Sequence, residues 1–125
     1  KYLPRVVFYR ARQTFLATQA SVPNDVLDDF WRCFRNPDVR EFIVRMCAGY
    51  QGQLRKLPEY YRQISCPVLV LWGDSDKHFP VAQAEGLLEV LQNGTMDIVQ
   101  QGYHWMMLER PNTLAENIER FYGQL

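Results

Sequence analysis

The stretch "PVLVLW", residues 67 to 72, restricts the fold of this chain more than any other. It is a continuous apolar run rich in β-branched residues, bounded by Pro67 and Gly73 and too short for a helix, so it reads as a strand. A strand on a half-solvated sheet would alternate apolar with polar residues. One without polar positions is predicted to be buried on both faces, as a central parallel strand covered by helices on either side.

The residues that follow supply such helices and a second strand. Val81, Ala84, Leu87, Leu88 and Leu91 recur at helical spacing, Asn93 and Gly94 end that helix, and "TMDIV" reads as a second short strand. Leu114, Ile118, Phe121 and Leu125 predict a closing helix. Strand, helix, strand, helix is a βαβα unit, which implies parallel strands joined by a right-handed crossover. Two parallel strands cannot close a sheet by themselves. Neighbouring strands are therefore expected from another chain or from a longer chain of which this is part.

Ahead of Cys66 the pattern is helical throughout. Val26, Leu27, Phe30, Trp31 and Phe34 form one apolar stripe, and Val39, Phe42, Ile43, Met46, Cys47 and Tyr50 form another. No strand is indicated between Leu3 and Gln63. The second helix starts at "NPDVREF", with Asn36 as cap, Pro37 at the first helical position, and Asp38 and Glu41 in the first turn facing the positive helix end. "LRKLPEYYRQI" then leads through Pro58 into a further short helix. A helical segment, 1–63, is thus expected to precede an α/β segment, 64–125.

Composition narrows the function classes. At 125 residues and 47% hydrophobic content the chain can build one ordinary core and no more. Fourteen basic residues balance fourteen acidic ones, so no excess positive field exists to hold nucleic acid or an anionic membrane surface. No apolar run approaches the roughly 20 residues of a membrane-spanning helix. The first residues, with Lys1, Arg5, Arg10 and Arg12 scattered among them, contain no signal-peptide core. Cys33, Cys47 and Cys66 form no close pair and suggest neither a disulfide framework nor a zinc knuckle. They are expected to be buried small hydrophobes in a reducing, cytoplasmic compartment. The aromatic residues Phe8, Tyr9, Phe15, Phe30, Trp31 and Phe34 are expected mainly as helix packing.

In α/β sheets functional groups collect beyond the carboxyl ends of the strands. Here those are the loops "GDSDKHFP", residues 73 to 80, and "QQGYHWMMLE", residues 100 to 109. Adjacent parallel strands would bring the loops side by side, so that Asp74 or Asp76 could meet His104. A carboxylate there would hold the imidazole tautomer and stabilise the imidazolium, as a general base requires. A metal site built from Asp74, Asp76, His78 and His104 is a rival, disfavoured because three of the four alternate along one loop without a known ligand spacing. Taken alone, His104 beside Trp105 and Met106 would read as packing.

These two loops resemble those of α/β-hydrolase fold enzymes. The family's acid commonly follows a strand as P-V-L-V-L-W-G-x-x-D-x-x-x-P, and residues 67 to 80 read "PVLVLWGDSDKHFP". Its histidine commonly lies in G-H-x-x-x-x-E-x-P, and "GYHWMMLERP" keeps the glycine, histidine, acid and proline with Tyr103 inserted. The interval between Asp76 and His104 leaves room for one helix and one strand, as the family's topology requires. The resemblance covers the chain from Ile64 onward, the carboxy-terminal portion of the fold, and the helical half before it looks like the later part of a lid. It implies Asp76 as triad acid and His104 as general base. Asp74 is then a solvated turn residue or cap; His78 reads as a hydrated loop histidine or one near the cleft mouth, and Glu109 as a structural residue near the start of the last helix. No cofactor and no metal are implied.

The family's order runs nucleophile, acid, histidine, with the nucleophile on a G-x-S-x-G elbow. These residues contain no such elbow. Of Ser21, Ser65 and Ser75, the last lies in "GDSDK" ahead of the acid, without a second glycine or a following helix. The resemblance therefore implies a hydrolase fragment, inactive alone, that acts on a small apolar ester, epoxide or halide once joined to the missing amino-terminal half of the fold or to another copy of the chain. The alternative is a non-catalytic α/β module that binds a partner polypeptide through an open sheet edge.

Overall fold

The computed structural model describes Arg5, Val6, Phe8 and residues 22–125. Leu3, Tyr9, Phe15 and Ser21 lie outside the described residues. Arg5, Val6 and Phe8 are helical, and α1 (Asn24–Phe34), α2 (Pro37–Leu54) and α3 (Leu57–Tyr61) precede β1 (Val68–Gly73). Then come α4 (Val81–Leu88), β2 (Gly94–Val99), a short helix α5 (Met106–Glu109) and α6 (Pro111–Tyr122).

The corner between α1 and α2 follows from local chemistry. Asn36 Oδ1 accepts the Asp38 amide at 3.0 Å and satisfies one of the unpaired donors at the start of α2. Arg40, one turn into that helix, donates to the carbonyls of Phe34 at 2.8 Å and Arg35 at 2.7 Å, closing the end of α1. Phe8 stacks on α1 through Trp31 and Phe34, with ring centroids 5.5 Å apart in both pairs.

β1 and β2 pair in parallel, from Val68 opposite Gly94 to Gly73 opposite Val99, with α4 as the crossover and both α4 and α6 against the strands. The βαβα order expected from the sequence is therefore present. The expectation of full two-sided burial for β1 holds only in part: Val70 and Gly73 are buried, whereas Leu69, Leu71 and Trp72 are half-buried. The physical reason is the width of the sheet. It has two strands among the described residues, so β1 has a single neighbour and one edge without a partner strand.

The same cause corrects other expectations. Cys33, Cys47 and Cys66 are exposed rather than buried. Along α2, Phe42, Met46 and Tyr50 of the predicted apolar stripe are exposed, because among the described residues α2 packs mainly on α1. On α6, Ile118 and Leu125 beyond its end are exposed, and the buried position of that helix is Asn117, which donates to the Thr113 carbonyl at 2.8 Å.

What core there is joins the helical half to the loop after β2. Leu27 and Val22, 1% and 2% exposed, pack with Val26, Trp105 and Leu108. Thus α1 seats directly beside the residue that follows His104. Leu27→Ala is expected to cost about 2–5 kcal/mol in urea denaturation. Phe42→Ser, at a position 58% exposed, should move the midpoint by no more than about 0.5 kcal/mol.

Candidate active site

The site begins with two glycines. A Cβ on Gly73 would lie 2.2 Å from the Gly102 carbonyl oxygen, and one on Gly102 would lie 3.0 Å from Gly73 Cα. The strand ends thus touch backbone to backbone, an approach open only to residues without side chains. Hydrogen bonds lock the crossing: the Asp74 amide donates to the Val99 carbonyl at 3.2 Å, and the Ser75 amide donates to the Gly102 carbonyl at 3.0 Å. Gln101, with φ 54°, makes the left-handed turn that brings Gly102 back over β2.

Held by that crossing, the loops put Asp76 against His104. Asp76 Oδ1 accepts the amides of His78 at 2.8 Å and Phe79 at 3.0 Å, and Oδ2 lies 2.9 Å from His104 Nδ1. An ionised carboxylate only accepts, so Nδ1 carries the proton and the imidazole lone pair is on Nε2. Tyr103, the residue inserted into the family pattern, does not prevent this contact; its ring lies 5.9 Å from the Lys77 ammonium.

The Asp76 side chain is 8% exposed and that of His104 26%. Burial pushes the Asp76 carboxyl up, but the His104 hydrogen bond, the Phe79 and His78 amides and the His104 charge together outweigh it and hold the carboxyl below its ordinary value. Asp74, the competing acid, is exposed and accepts the Ser75 hydroxyl at 2.9 Å. Ser75 is accordingly a turn residue beside the acid.

Further residues surround the pair. His78 is exposed as expected, yet its ring lies 5.3 Å from that of His104. Phe79 lies 5.1 Å from His104, and Phe30 of α1 meets Trp105 edge-on at 5.5 Å. Glu109 lies two residues ahead of the last helix, near its start as expected. It ends α5, and α6 opens at Pro111. The hydrophobic run "WMMLE" contains no turn signal that would have separated the two. Among the described residues, no group of three or more histidines, cysteines and carboxylates is arranged to hold a metal ion. Nor, among them, is any helix long and apolar enough to cross a membrane.

No protein-family model matches the chain. It is 25% identical over 100 residues to the "Uncharacterized hydrolase YugF" of Bacillus subtilis (strain 168), covering 80% of this chain and 36% of that protein. It is 35% identical over 65 residues to the 2-hydroxy-6-oxo-6-(2'-aminophenyl)hexa-2,4-dienoic acid hydrolase of Metapseudomonas resinovorans, covering 52% of this chain and 22% of that enzyme. Among solved structures, an alpha/beta hydrolase enzyme from the metagenome of sediments from the lagoon of Mar Chica, Morocco, has the same fold over 79% of this chain and 44% of its own, with a TM-score of 0.61 at 18% identity. These similarities point to the α/β-hydrolase fold family. The chain spans well under half the length of the relatives it matches, which fits a carboxy-terminal portion of the α/β-hydrolase fold.

Two outcomes follow from this geometry. Gly73→Ala must drive the loops apart, because the obstacle to the new methyl is backbone; it should destabilise by about 1–3 kcal/mol and abolish the downfield Nδ1 proton resonance of His104. The lowered Asp76 carboxyl gives a second. Its contribution is fully present above the unfolded carboxyl's pKa and is lost as pH falls through the lower folded value. Urea midpoints taken from about pH 6 down to about pH 2 should therefore fall less steeply in Asp76→Asn than in the parent protein.

Proposed function

We propose that His104 is the general base, and Asp76 its orienting acid, of a nucleophile–histidine–acid hydrolase whose nucleophile comes from outside these 125 residues. The observation that carries the reading is the 2.9 Å contact between Asp76 Oδ2 and His104 Nδ1, made by a carboxylate whose other oxygen is held by two backbone amides. With Nδ1–H committed to Asp76, Nε2 is the atom that removes a proton. The imidazolium that forms is stabilised by the adjacent carboxylate.

The identity of the nucleophile sets the reaction. A serine, deprotonated by Nε2, attacks a carbonyl, and the acyl-enzyme is then hydrolysed by water activated at the same nitrogen. An aspartate would instead open an epoxide or displace a halide, with His104 activating water against the resulting ester. The aromatic surroundings, Phe79 on His104 and Phe30 on Trp105, favour a small apolar substrate. The helical half would serve as part of a lid over it.

The test is hydrolysis of a p-nitrophenyl ester, a styrene oxide and a haloalkane by this chain joined to the segment that supplies the nucleophile. His104→Gln and Asp76→Asn should each lower kcat/KM on the accepted substrate by at least about 10³-fold while the variants keep their circular dichroism. Activity retained within about threefold in both variants would sink the assignment.

One observation favours a second reading, in which the free edge of β1 pairs with a strand from the amino-terminal half of the fold, another copy or a partner polypeptide. Proline at Leu69 or Leu71 should then weaken association measured by analytical ultracentrifugation without altering the Asp76–His104 contact.

A further inference from the structure

We infer that Phe79 is a positioning residue for His104, holding the plane of its imidazole. The inference rests on the reading of His104 as base. A single bond from Nδ1 to Oδ2 does not set the ring plane, because the terminal torsion of histidine is broad. Rings packed against the imidazole, Phe79 at 5.1 Å and the exposed His78 at 5.3 Å, can hold Nε2 in one direction.

Phe79 is built for that task. Its amide donates to Asp76 Oδ1 at 3.0 Å, and its carbonyl accepts the Trp72 indole Nε1–H at 2.9 Å. The backbone is thereby gripped on one side by the site's acid and on the other by a residue of β1. From this fixed base the phenyl ring lies 5.1 Å from the His104 ring at a tilt of 37°. The same carboxylate thus orients His104 with one oxygen and, with the other, the loop that carries the ring restraining it.

Exposure argues in the same direction. Phe79 remains 44% exposed, although a residue selected only to pack the loop would be expected to bury more of its apolar surface. The contact it does make is with the one imidazole whose direction matters.

The test compares Phe79→Ala, Phe79→Leu and Phe79→Tyr in the protein joined to the segment that supplies the nucleophile, reading both the exchange rate of the His104 Nδ1 proton by NMR and steady-state kinetics. Phe79→Ala should accelerate that exchange about 10-fold and lower kcat about 10-fold with KM within about twofold. Phe79→Tyr, which keeps the ring, should restore both, and Phe79→Leu, which keeps bulk without a planar face, should not. A lower melting temperature in Phe79→Ala with exchange and kcat unchanged would overturn the inference and leave Phe79 a packing residue. Should His104→Gln prove fully active, the reading of His104 as base fails on its own, and the exchange rates alone then decide whether Phe79 holds the ring.

Discussion

The crossing of Gly73 over Gly102 is the constraint on which the site depends. Parallel pairing carries β1 and β2 to the same end, but pairing alone leaves two loops free to diverge. A Cβ on Gly73 would meet a carbonyl oxygen at 2.2 Å, so the approach exists only because both positions lack a side chain. With the backbones in contact, the amides of Asp74 and Ser75 reach carbonyls of the other loop. Asp76 and His104 then face each other across a distance that their side chains can close.

From that contact one carboxylate organises the rest. Asp76 uses one oxygen to fold its own loop through the His78 and Phe79 amides and the other to hold His104. The two tasks are coupled, since the folded loop sets the position of the carboxylate and of the Phe79 ring. The helical half reaches the same place from the opposite direction. Leu27 and Phe30 of α1 meet Leu108 and Trp105 just beyond His104, so the segment expected as a lid is anchored next to the imidazole.

Much of this was legible in the residues. The unbroken apolar run before Gly73, the helical spacing from Val81 and the short run ending at Val99 specify a parallel βαβ unit through local periodicity alone. The capping of α2 by Asn36 was equally local. The family pattern around Asp76 and His104 singled out both members of the pair. Burial was less legible. The stripe of Phe42, Met46 and Tyr50 and the three cysteines have apolar neighbours in sequence but are exposed, because burial depends on the surfaces that a helix meets and not on its own periodicity. Asn117 shows the converse, a polar residue buried because its amide finds the Thr113 carbonyl within its own helix.

The sequence by itself determined the order of elements, the loops that carry chemistry and the residue types available in them. These follow from local propensity and from the fact that parallel strands send their carboxyl ends the same way. Only the tertiary structure decided that Tyr103 can be inserted without moving His104 out of reach of Asp76, and that Phe79 lies on the imidazole. Those outcomes depend on backbone contact between segments far apart in the chain, and on side-chain directions set by that contact, which no local pattern encodes.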